Sequence, residues 1–74
     1  MNTVKNQNNG NEFDVPAVHQ IVSDIKGGYM QLMSEKMAQC FFDGPREAEQ
    51  VYAMIVNHCR LCEWVGCQLT VYFF

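Results

Sequence analysis

Apolar and polar positions change their spacing several times along the chain, and each spacing predicts an element. Val18, Ile21, Val22 and Ile25 fall within a narrow arc at about 100° per residue, with Gln20, Ser23 and Asp24 opposite, which predicts a short amphipathic helix. Asp14 is placed to cap it, and Pro16 sits in its first turn, where a missing N–H costs nothing. Gly27-Gly28 is the expected stop, because glycine takes up the left-handed cap conformation without strain.

The stretch from Tyr29 to Phe42 supports two readings. As a helix, it places Leu32, Met33, Met37 and Cys40 in one stripe, and most of its residues are good helix formers. As a hairpin, Met30 and Leu32 alternate with Gln31, and Ala38, Cys40 and Phe42 alternate with Gln39, around a polar Ser34-Glu35-Lys36 turn. Gly44-Pro45 followed by Glu47 marks the next helix start, with proline at the first helical position and a carboxylate where the helix dipole favours it. Ala48, Val51, Tyr52, Ile55, Cys59 and Cys62 then lie within about 120° of arc, which predicts a helix running to Val65 and stopped by Gly66.

The last eight residues, CQLTVYFF, read as a strand with Leu69, Val71 and Phe73 on one face and Thr70, Tyr72 and Phe74 on the other. A lone strand would leave its backbone N–H and C=O groups unpaired, and the Tyr29–Phe42 hairpin supplies a partner. The resulting expectation is an α+β domain of order α-β-β-α-β, with a three-stranded sheet covered on one face by helices. The alternative is an all-α antiparallel helical hairpin that dimerises into a bundle. No internal repeat is visible.

Composition narrows the class. With 49% apolar and 18% charged residues, the 74-residue chain is too hydrophobic to be disordered throughout. It is read as a single small domain over residues 14–74, preceded by a flexible arm over 1–13 that holds five asparagines. No apolar run approaches the roughly 20 residues of a membrane span, and the N-terminus lacks a signal pattern, so the expected location is the cytoplasm. The net charge is −3, and Lys5, Lys26, Lys36, Arg46 and Arg60 are scattered. Direct nucleic-acid binding is not expected without a concentrated basic face.

The cysteines are the chief chemical candidates. Cys59 and Cys62 form a C-x-x-C pair, but the predicted helix places them near its C-terminus, where the dipole disfavours the thiolate that redox work needs. A zinc module would draw on His58, Cys59, Cys62 and Cys67, with Cys40 as a possible substitute. The simpler expectation is that the thiols fill a core, with no metal or cofactor. His19 and the carboxylates assemble no nucleophile–base constellation, so no enzymatic role is expected.

The predicted second helix is apolar on most of its circumference. Trp64 projects opposite its core face, flanked by Met54, Leu61 and Val65, and Tyr72 and Phe74 point outward from a strand that could be an edge. Exposed aromatic and Met clusters mark contact surfaces. The expected function is a non-enzymatic interaction protein, homo-oligomeric and with a heterologous protein partner, acting as a regulator or inhibitor that occludes a partner's surface. Small, acidic, motif-poor chains of this kind resemble in style the accessory inhibitors that phages and other mobile elements encode.

Overall fold

The computed structural model describes residues 12–74 and has the expected α+β class, with one strand more than the sequence reading supplies. Residues 1–11 of the Asn-rich arm lie outside the described residues. Helix α1 (Val15–Ser23) starts at Asp14, whose side chain accepts a hydrogen bond from the Ala17 N–H at 3.0 Å, with Pro16 in the first turn. That satisfies one of the donors a helix start leaves without an internal partner. Val18 and Val22, one turn apart, are its fully buried residues.

The glycine pair does a different job from the one expected. Asp24, in the right-handed conformation, is the C-cap of α1, and Gly27-Gly28 form the turn that follows. Gly27 has φ +82°, and a Cβ there would run into the Asp43 carboxylate, while one on Gly28 would run into the Val22 carbonyl oxygen. No side chain fits at either position.

Strands β1 (Tyr29–Ser34) and β2 (Met37–Phe41) form the hairpin, so the helical reading of this stretch and the all-α alternative both fall. A register shift between Leu32 and Ser34 places a bulge at the turn end of β1. Helix α2 (Pro45–Ile55) begins after Gly44 with Glu47 in its first turn, as predicted, and buries Ala48, Val51 and Ile55. It ends at Ile55 and does not reach Val65. Residues expected in its last turns form strand β3 (Leu61–Val65), which pairs antiparallel with β4 (Gln68–Tyr72) across a Gly66-Cys67 turn with Gly66 at φ +60°.

The reason lies in the pairing needs of β4. The helical arc beyond Ile55 rested on Cys59 and Cys62, but Cys62 buried between exposed Leu61 and Glu63 fits strand alternation equally well. An interior strand must satisfy ladders on both sides, and only a strand at 61–65 fills the second. The sheet is therefore four-stranded, in the order β1-β2-β4-β3. Its edges are β1 and β3, so Tyr72 belongs to a central strand and not to an edge. The order α-β-β-α-β-β uses one α-β-β plan twice, with the second strands of the two hairpins meeting at the centre.

Both helices pack on one face of this sheet. Ala38 and Cys40 of β2, Leu69 and Val71 of β4 and Cys62 of β3 point into the core with Val18, Val22, Val51 and Ile55, and Phe42 and Phe73 are buried with them. Among the described residues no polar or charged side chain is buried.

Two contrasts test this architecture by urea unfolding. Leu69→Ala, at a fully buried position, should cost about 2–5 kcal/mol, whereas Val65→Ala on the surface should stay within about 0.5 kcal/mol. Gly66→Ala should lose only the left-handed preference, about 1–2 kcal/mol, because open space surrounds it. Gly28→Ala should lose more, since its Cβ meets backbone.

Candidate functional site

Alternation along the four strands sorts the side chains into two faces, and the face away from the helices is left uncovered by the described residues. Strand register aligns that open face into three rows. Tyr29, Phe41, Gln68 and Val65 form one end row; Gln31, Gln39, Thr70 and Glu63 form the middle; Ser34, Met37, Tyr72 and Leu61 form the other end. A polar row thus runs between two rows with apolar and aromatic members.

Local contacts stiffen the aromatic positions. Tyr29 and Phe41 stack across the hairpin with ring centroids 6.0 Å apart, an arrangement that favours both rings beyond area burial. The Arg60 guanidinium lies over the Tyr72 ring, 5.4 Å from its centroid. The Arg60 N–H also donates to the Tyr72 carbonyl at 2.9 Å, extending the β3–β4 ladder by one step. Val65 is 76% exposed and Tyr29 58% exposed, while Phe41, Met37 and Tyr72 are half-buried by their neighbours.

The predicted interface residues do not form one helix face. Leu61, Val65 and Tyr72 share the open sheet face. Met54 stands exposed on α2, and Phe74 is exposed beyond the end of β4. Trp64 lies on β3 and on the helix side of the sheet, where its ring packs against Tyr52 of α2 at 5.7 Å and its indole N–H donates to the Gly66 carbonyl at 2.7 Å. Tyr29, Phe41 and Met37 were not identified as site residues from the sequence. Their signal was the same hairpin alternation that placed Ala38 and Cys40 inside, read on its other face.

Cys67 stands apart from the other three cysteines. Cys40, Cys59 and Cys62 are buried, and Cys67 is exposed at the β3–β4 turn. Cys59 precedes β3 and Cys67 follows it, so a strand of five residues, roughly 16 Å of chain, stands between them. Cys40 and Cys62 both face the core but from strands with β4 between them, about two strand spacings or 9–10 Å. Zinc ligands must all approach within about 2.3 Å of one ion. Among the described residues no three His, Cys, Asp or Glu side chains are placed to hold a metal ion. The His58 ring stacks on Phe13 at 4.3 Å, and the His58 carbonyl accepts from the Phe13 N–H at 2.8 Å, which ties the start of the described chain to the α2–β3 turn.

A concavity of about 460 Å³ lies between the start of α1 and the β1–β2 turn. Its polar lining is Glu12, Asp14, Glu35 and Lys36, beside Phe13, Phe73 and Phe74. These groups offer no nucleophile with an adjacent base. No helix among the described residues is long and apolar enough to cross a membrane.

Burial pushes the Cys40 and Cys62 thiols from the ordinary 9.0 up to about 12, reinforced by neighbouring Cys59, and it raises Cys59 as well. The folded chain therefore keeps protons that the unfolded chain releases. This contribution to stability is intact below pH 9.0 and falls as pH rises toward about 12. Unfolding midpoints measured at rising pH should drop above 9.0. At pH near 8, a thiol-reactive dye should label Cys67 alone in the folded chain and all four cysteines after denaturation.

Compared with protein-family models, curated proteins and solved structures, the chain matches none.

Proposed function

We propose that this chain is a non-enzymatic protein-interaction module that seats its open sheet face on another protein and acts as a regulator or inhibitor by occluding the surface it covers. The observation that carries this reading is the composition of the uncovered face. Three aromatics, Tyr29, Phe41 and Tyr72, and Met37 lie on it, with Arg60 over Tyr72 and Glu63 as the one carboxylate among its strand residues. Protein interfaces are enriched in aromatic residues, Met and Arg, and depleted in Glu, Asp and Lys. The free thiols suit a reducing cytoplasm.

Aromatics on an open sheet can also stack nucleobases, but such sites pair stacking with a cationic groove along the phosphates. Here Arg60 is the cation set over the face, in a chain of net charge −3. The balance favours a protein surface.

A photo-reactive side chain at Val65 tests the proposal against the same group at Met54, exposed on α2. Crosslinking to a protein partner should saturate at Val65, stay near background at Met54, and be competed by excess unlabelled wild type. Tyr29→Ala should weaken that competition by about 1–2 kcal/mol, while unfolding loses no more than the about 0.5–1.5 kcal/mol of its stack on Phe41. Equal crosslinking from both positions, or none that saturates, would overturn the reading.

A further inference from the structure

The two halves of the fold match in residues as well as in plan. Phe13-Asp14-Val15-Pro16 leads into α1 and Phe42-Asp43-Gly44-Pro45 leads into α2, so Phe-Asp-x-Pro recurs at the start of each helix. Six residues beyond each proline stands a fully buried valine, Val22 in one helix and Val51 in the other. The described chain thus carries an internal repeat, contrary to the expectation from its sequence. The match is confined to short stretches that only the fold brings into correspondence.

The strands repeat with the helices. β2 and β4 pair antiparallel with Gln39 opposite Thr70 at the centre. An approximate two-fold axis through that pair, perpendicular to the sheet, carries β2 onto β4 and β1 onto β3. It sets Ala38 on Leu69, Cys40 on Val71 and Phe42 on Phe73, all buried, and Phe41 on Tyr72, both on the open face. The hydrogen bonds that end the ladder obey the same symmetry. The Phe42 N–H donates to the Cys67 carbonyl at 2.9 Å, and its counterpart, the Phe73 N–H, donates to the Lys36 carbonyl at 2.8 Å. Met33, at the register shift of β1, is the residue of that strand with no counterpart in β3.

We propose that the chain is two equivalent α-β-β units joined in one, and that the partner each unit fits is the complementary unit of its own chain or of a second copy. Two copies then exchange halves across the β2–β4 seam, with α1-β1-β2 of each pairing with α2-β3-β4 of the other. The exchanged pair remakes the seam contacts of the single chain, both end hydrogen bonds included, because the surfaces that meet are the same. What changes is Asp43-Gly44, the stretch between buried Phe42 and the first residue of α2, where Gly44 is already extended. Within one chain this short connection keeps the halves at high effective concentration, so the closed form prevails in dilute solution and the exchanged pair gains as protein concentration rises. The open face is formed in both states.

Gln39 and Thr70 supply the test, because they face each other across the seam on the open side, and opposed Cα atoms about 4.5–5.5 Å apart suit a disulfide. Full-length chains carrying Cys67→Ser and either Gln39→Cys or Thr70→Cys are mixed in urea, refolded under reducing conditions and then oxidised. Exchange should bridge position 39 of one copy to position 70 of the other, giving a species of twice the 8.5 kDa chain mass that grows with refolding concentration. Gln39→Cys refolded alone should give several-fold less of it, since exchange leaves the two positions 39 in separate lobes. A chain with both substitutions, refolded dilute, should close the same bridge within itself. Closure within the single chain with none between copies at any concentration would overturn the proposal, as would a mixture that bridges no more than Gln39→Cys alone. Absence of the bridge in both arrangements would overturn it too, by denying the pairing of β2 with β4. Crosslinking from Val65 reads the open face and this bridge reads the seam, so the two proposals fail separately.

Discussion

The pairing of β2 with β4 is the constraint on which the rest of the structure depends. Each hairpin is local and closes across a short turn, but two isolated hairpins are marginal in water. Joining their second strands makes four strands out of two pairs and brings Ala38 and Cys40 beside Val71 and Leu69, the centre of the core. The ladder extends past the strand ends, with the Phe73 N–H donating to the Lys36 carbonyl at 2.8 Å and the Phe42 N–H to the Cys67 carbonyl at 2.9 Å. These bonds tie the tip of each hairpin to the other half of the molecule, so neither half is complete by itself.

Size then decides which surfaces stay open. Two helices of 9 and 11 residues cover one side of a four-stranded sheet, and no described residue outside the sheet covers the other. The uncovered side is kept compatible with water by its middle row, Gln31, Gln39, Thr70 and Glu63, while the flanking rows retain Tyr29, Phe41, Val65, Met37, Tyr72 and Leu61. A surface with this division is solvated in the free chain and still holds apolar area to exchange for contact. Covering by helices also explains the thiols: three of the four fill the core as small hydrophobes, and desolvation holds Cys40 and Cys62 protonated well beyond neutral pH.

Open face and free edge differ in what they ask of a partner. The face offers side chains alone, so any complementary protein surface can meet it, whereas the β1 edge offers backbone groups that only another extended segment can pair. The edge lies in the plane of the sheet, and the face looks out perpendicular to it. The two surfaces can therefore be used together.

Several features were set by the chain itself. The starts of both helices were legible because capping chemistry is local: Asp14 with Pro16, and Gly44-Pro45 with Glu47, act within one turn. The alternation of Ala38, Cys40 and Phe42, and of Leu69, Val71 and Phe73, correctly assigned the buried sheet face because strand period follows from backbone geometry. The segment from Val56 to Val65 was not legible in this way. Cys59 and Cys62 are buried under either a helical or an extended reading, and five residues are too few for one period to win over the other. What decided it was the second unpaired edge of β4, a demand made by a strand later in the chain and visible only once β2 had taken the first. The placement of Trp64 and the open face followed from that choice, because converting the end of a helix into an edge strand moves Leu61 and Val65 to one side of a sheet and Trp64 to the other. Local chemistry thus determined where elements begin and which residues they bury, and tertiary hydrogen-bond satisfaction determined how many strands there are and which faces remain for a partner.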